Sequence, residues 1–156
     1  MNEVFFNEIR NGNLEAVGKM LNVHPQLVDS IDQRGATPLI LAAYYEEAEI
    51  VNLLLDKGAK VDAKDASGNT ALMGACFKGF SEVAQTLINN GANINERNAM
   101  GATCLIYAAT FNREAIAKML LQAGADASIA DVRGKTALDH AAMQGLSNLV
   151  ALLENV

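Results

Sequence analysis

Gly35, Gly68, Gly101 and Gly134 are separated by steps of 33 residues, and each stands in the same local text. Asp32-Gln33-Arg34-Gly35-Ala36-Thr37, Asp65-Ala66-Ser67-Gly68-Asn69-Thr70, Asn98-Ala99-Met100-Gly101-Ala102-Thr103 and Asp131-Val132-Arg133-Gly134-Lys135-Thr136 all read D/N-x-x-G-x-T. A fixed period of this length restricts the chain to stacked copies of one supersecondary unit, each too small to bury its own apolar face alone. The text also has a mechanism. Asp or Asn hydrogen-bonds its own backbone in a turn, Gly supplies a positive φ, and Thr caps the helix that follows.

Two helices fill the rest of each unit. The first carries Leu39/Ala42/Ala43, Leu72/Ala75/Cys76, Leu105/Ala108/Ala109 and Leu138/Ala141/Ala142, an i, i+3, i+4 stripe whose small residues let neighbouring helices approach closely. The second holds Ile50–Leu55, Val83–Ile88, Ile116–Leu121 and Leu149–Leu153, and the first three of these run into Gly58, Gly91 and Gly124, where a left-handed cap glycine belongs. The predicted fold is all-α: one domain over 1–156, with complete units at about 33–65, 66–98 and 99–131 and cap-like units at about 1–32 and 132–156. In the first of these, Asn13-Leu14-Glu15-Ala16-Val17 matches the second helix, with one extra residue around His24-Pro25. In the last, Glu154 takes the place of Leu55, Ile88 and Leu121, so a position expected to be buried inside the stack turns polar.

Thr37-Pro38-Leu39 with Leu41-Ala42-Ala43, and Gly58-Ala59-Lys60-Val61-Asp62, resemble the T-P-L-x-L-A-A and G-A-x-V-x segments of the ankyrin repeat family. The resemblance runs over essentially the whole chain. It implies a solenoid of helix-turn-helix units joined by β-hairpin-like loops, and a non-catalytic protein that binds a partner protein or peptide through a concave groove and its hairpin tips. One departure concerns the histidine that often follows T-P-L in that family, which is replaced here by Ile40, Met73, Ile106 and Asp139. The Thr–His hydrogen bond, worth about 1 kcal/mol, is therefore expected to be missing.

Composition agrees with closely packed helices: aromatics make up 5% of the chain, with no Trp and two Pro. A net charge of −6 without any basic run excludes the clustered cations that a nucleic-acid backbone demands. No segment reaches the roughly 20 apolar residues of a membrane span and the first residues lack a signal-peptide core, so a cytoplasmic location is expected. Cys76 and Cys104 give no metal spacing and suit small core thiols in a reducing compartment.

Catalytic chemistry finds little footing. A nucleophile needs a base, and the only histidines are His24, in a loop before a proline, and His140. Cys104 and His140 occupy non-equivalent positions of adjacent units, and packed helices about 8–10 Å apart place them beyond a hydrogen bond. The carboxylate pairs Glu46/Glu47 and Asp131/Asp139 read as solvated surface. No phosphate-cradling glycine cluster is present, and neither cofactor nor metal is expected.

A contact face can be placed by helical geometry. With Leu39 facing the core, Tyr44 lies at about 140° and Tyr45 at about 240° from it, both turned away from the packing direction. Their counterparts are Phe77/Lys78, Thr110/Phe111 and Met143/Gln144, a column of aromatic and thioether groups where a solvated helix carries Glu or Lys. In the resembled family these positions and the variable hairpin residues meet partners. Tyr44, Tyr45, Phe77, Lys78, Phe111, Met143 and Gln144, with Arg34, Met100 and Arg133 from the hairpins, are thus the expected contacts, along a face running from Gln33 to Gln144. Two readings of Phe77 and Phe111 stay open: contacts, or core residues turned inward over Gly74 and its small neighbours. A monomer that binds another protein is the leading expectation. A self-associating regulatory or structural subunit and an engineered binder on the same scaffold are the alternatives.

Overall fold

The computed structural model describes all residues from Met1 to Val156. Ten helices alternate between two layers. The inner layer is α1 (Asn2–Arg10), α3 (Pro38–Tyr44), α5 (Ala71–Lys78), α7 (Cys104–Thr110) and α9 (Ala137–Met143). The outer layer is α2 (Leu14–Val23), α4 (Ala48–Asp56), α6 (Ser81–Asn89), α8 (Glu114–Gln122) and α10 (Ser147–Glu154). Each inner helix packs on the next inner helix and on the outer helix that follows it, and outer helices pack in the same sequence.

The inner stripe explains the stacking. Leu39, Ala42, Ala43, Leu72, Ala75, Cys76, Leu105, Ala108 and Ala109 are all buried, so backbones close onto one another through alanine and cysteine. Ile50, Val51, Leu54, Val83, Ala84, Leu87, Ile116, Ala117 and Leu120 fill the space between layers. The last inner helix has no neighbour beyond it, and its stripe opens accordingly: Ala141 is buried, Leu138 half-buried and Ala142 exposed. At the first end, α1 supplies Phe5, Phe6 and Ile9 to close the core. The extra residue near His24-Pro25 is absorbed by a short 3-10 turn, Pro25–Asp29.

Each unit begins in the turn the sequence foretells. The Oδ1 atoms of Asp32, Asp65, Asn98 and Asp131 accept two backbone N–H groups apiece, at 2.8–3.0 Å. Gly35, Gly68, Gly101 and Gly134 have φ of 76°, 79°, 73° and 78°. The Thr37, Thr70, Thr103 and Thr136 hydroxyls then accept the N–H of the third helical residue. Successive loops are tied tip to tip by single backbone bonds, Ala66 N–H to Arg34 C=O (3.1 Å), Ala99 to Ser67 (3.0 Å) and Val132 to Met100 (3.0 Å). No continuous strand forms, so the loops are hairpin-like turns joined by one rung each.

Two expectations need correction. Leu55, Ile88 and Leu121 are half-buried rather than buried, because they sit at the rim of the outer layer; Glu154 at the equivalent place is exposed. The bond lost with the family's histidine is partly replaced. Asp139 accepts from the Thr136 N–H (2.9 Å) and hydroxyl (3.1 Å), and the Met73 sulfur lies 3.5 Å from the Thr70 nitrogen.

Candidate functional site

Inner helices and loops line a groove of about 940 Å³ whose walls come from α1, the first two loops, α3 and α5, with Tyr107 of α7 at its far end. It is built by the repeat itself. The loops rise as one wall because their tips are bonded together. The inner helices form the floor because their last turns present side chains facing away from the core.

Four of the expected contacts stand on this groove: Arg34, Tyr44, Tyr45 and Phe77. Tyr44 and Tyr45 are 43% and 45% exposed and meet edge to face at 5.8 Å between centroids. Lys78 lies beside them, its Nζ 4.9 Å above the Tyr44 ring, a cation held by the ring's electron-rich face. Phe77 is half-buried, and here neither simple reading of it suffices. It packs edge-on against Phe111 at 4.6 Å and Tyr107 at 6.1 Å, so one face is spent on a cluster between α5 and α7 while the other looks into the groove. Phe111 remains 41% exposed on the outer side of that cluster.

The other expected contacts lie elsewhere. Met100, Arg133, Met143 and Gln144 are exposed but outside the groove, so the face does not run as one enclosed channel from Gln33 to Gln144. Ala36 and Ala102, which follow the turn glycines in their hairpins, are buried and offer a partner nothing. Met100 and Val132, by contrast, form an exposed apolar pair joined through the loop rung.

One series of positions escaped the sequence reading. Leu41, Gly74, Tyr107 and His140 are equivalent, each nine residues after the turn Asp or Asn of its unit. In the last unit the imidazole Nε2–H donates to Asp131 Oδ2 at 2.8 Å. In the third complete unit the Asn98 amide donates to the Tyr107 hydroxyl at 2.8 Å and to Asn69 Oδ1 at 2.9 Å. Partial burial raises the Tyr107 pKa, the Asn98 bond opposes that, and the nearby Asp65 carboxylate adds to it. In the unit before, the ninth residue is Gly74. The only signal in the sequence was a helix-interior glycine outside the 33-residue series.

The remaining chemical groups are engaged in packing and in hydrogen bonds within their own units. Cys104 is fully buried and so is Cys76, whose thiol is pushed up mainly by its contact with Cys104 and then by burial. His140 faces Asp131, not Cys104, so that dyad is not assembled. Asp131 and Asp139 are not merely solvated. The His140 bond holds the Asp131 carboxyl below its ordinary range, and the Thr136 backbone N–H does the same for Asp139. Glu46, read from the sequence as half of a carboxylate pair, occupies a left-handed turn at φ 58° between α3 and α4. No helix is long and apolar enough to cross a membrane.

A family model described as ankyrin repeats, in three copies, matches residues 5–98 and again residues 95–155. No curated protein matches the chain.

Proposed function

Because the chain belongs to the ankyrin repeat family, whose repeats are generally protein-interaction modules and typically non-catalytic, we propose that it binds a partner protein through the groove between its loops and inner helices. The observation that carries this is the adjacent pair Tyr44 and Tyr45, both nearly half exposed on the groove floor. Two large amphipathic rings with few rotamers to lose are what the centre of a protein interface is made of. Their fold-level work is slight, since neither belongs to the buried stripe.

The test is capture of partners from the source cell with the wild-type chain and with a Tyr44→Ala/Tyr45→Ala variant of equal melting temperature. A partner retained by the first and weakened about 30-fold or more in the second fits loss of a hot spot of about 2 kcal/mol. Equal retention, or no protein above background with either, removes the reading. A second reading, self-association as a dimer, rests on Met100 and Val132, 56% and 62% exposed and bonded side by side. Sedimentation of the wild type at rising concentration decides it, a constant monomer mass excluding it.

A further inference from the structure

The turn Asp or Asn of each unit has two side-chain acceptor or donor atoms, and the repeat assigns them different work. Oδ1 always closes the loop. The other atom points at the residue nine positions on: Asn98 Nδ2 meets the Tyr107 hydroxyl and Asp131 Oδ2 meets His140. In Asp65 the same Oδ1 accepts the N–H groups of Ser67 and Asn69 at 2.9 Å, but the ninth residue is Gly74 and Oδ2 accepts no hydrogen bond from the chain. Asp32 is in a different state. Its Oδ2 has the Arg10 guanidinium 3.9 Å away, while no cation pairs with Asp65.

Gly74 itself has no packing excuse. It lies inside α5, where glycine weakens a helix relative to alanine. A Cβ built on it meets only Tyr44 Cδ2, at an ordinary 3.9 Å. The missing side chain therefore leaves a notch in the groove floor beside Tyr44, in a groove that Phe77, Tyr107 and Asp65 also line.

From this arrangement the geometry points to a binding site for an arginine side chain of the partner, its guanidinium held between aromatic faces with one N–H donating to Asp65 Oδ2. This rests on the groove being the surface that takes another protein. Arginine fits better than lysine because its flat, weakly hydrated cation stacks on rings, whereas an ammonium gives up more hydration to enter such a notch. Charge agrees at this point of the groove: the chain carries −6 overall and Asp65 has no cation partner, whereas Asp32 faces Arg10 and Lys78 is already held over the Tyr44 ring.

The probe is the blocked peptide acetyl-Gly-Arg-Gly-amide, titrated at millimolar concentration into the nitrogen-15-labelled chain, with the citrulline and lysine peptides as neutral and ammonium controls. The expected result is saturable movement of the Gly74 and Tyr44 amide signals by the arginine peptide, with binding about fivefold or more weaker for both controls. Asp65→Asn should weaken the arginine peptide by a similar factor while still folding, since Asn98 closes the same turn two bonds deep in the next unit. Gly74→His should abolish binding by filling the notch and engaging Asp65 as His140 engages Asp131. Equal binding of citrulline or lysine, indifference to Asp65→Asn, or no saturable shift would overturn the assignment. If that happens while the Tyr44→Ala/Tyr45→Ala chain still loses its partner, the groove reading stands and only the arginine site falls.

Discussion

Replacing the turn glycines one at a time by alanine separates two costs that the repeat normally combines. All four of Gly35, Gly68, Gly101 and Gly134 sit at φ between 73° and 79°, so alanine pays the left-handed penalty of about 1 kcal/mol at each. Three of them also lie under the next loop. An added Cβ would come within 3.0 Å of the Ala66 nitrogen at Gly35, 2.9 Å of the Ala99 nitrogen at Gly68 and 2.9 Å of the Val132 nitrogen at Gly101; at Gly134, which no loop follows, it meets nothing within 4 Å. Those nitrogens donate the rungs joining successive loops. Pushing them out by a few tenths of an ångström sacrifices a hydrogen bond worth about 1 kcal/mol net. Urea titration at fixed m should therefore give losses of about 2 kcal/mol for the first three variants and about 1 kcal/mol for Gly134→Ala. Gly35 is the control for end effects, since it belongs to the first loop. Should Gly35→Ala cost no more than Gly134→Ala, the stacking of successive loops does not hold these turns.

Phe77→Ala should cost about 2 kcal/mol, between a surface and a core deletion, because half of its ring is spent on Phe111 and Tyr107. Tyr45→Ala should stay within about 0.5 kcal/mol of the parent in the same denaturation experiment. Acid should act on the last unit through Asp131 and Asp139, whose folded pKa values are depressed. A depressed carboxylate contributes stability that is present above its ordinary pKa of about 3.9 and is lost as pH falls through the folded value. Melting temperatures at pH 6 and pH 3 should thus fall less for Asp131→Asn than for the wild type, and an equal fall in both would show that the His140 bond contributes nothing.

The fold was readable because its signals repeat. A turn that needs a positive φ, a side-chain acceptor and a capping hydroxyl can be written in few ways, and writing it at 33-residue steps fixes both the unit and the stack. The buried stripe followed from helical spacing for the same reason. Single departures were harder. Glu46 and Asn112 hold the left-handed turn between helices at φ 58° and 57°, where Gly79 and Gly145 stand in other units; Glu46 is exposed, as a solvated carboxylate should be, but its backbone strain leaves no mark in a sequence. The half-burial of Leu55, Ile88 and Leu121 depends on how far the outer helices splay, which spacing along one helix does not record.

The site was legible only as far as single helices determine it. The angle from Leu39 places Tyr44 and Tyr45 away from the core, and they are exposed; the same angle at Phe77 gives only half the answer, because Tyr107 and Phe111 reach across from the next helix. What orders the groove is a comparison between units at one position. Leu41, Gly74, Tyr107 and His140 differ in everything except where they stand, opposite the second atom of a turn Asp or Asn. A residue able to hydrogen-bond there consumes that atom and closes the space, as Tyr107 and His140 do. Leucine closes the space without a bond, and Asp32 then draws on Arg10 instead. Glycine does neither. A stack of near-equivalent units thereby gains one opening with one unpaired carboxylate oxygen, on the groove floor beside Tyr44, where a partner's side chain can be enclosed by aromatic neighbours as interface anchors usually are.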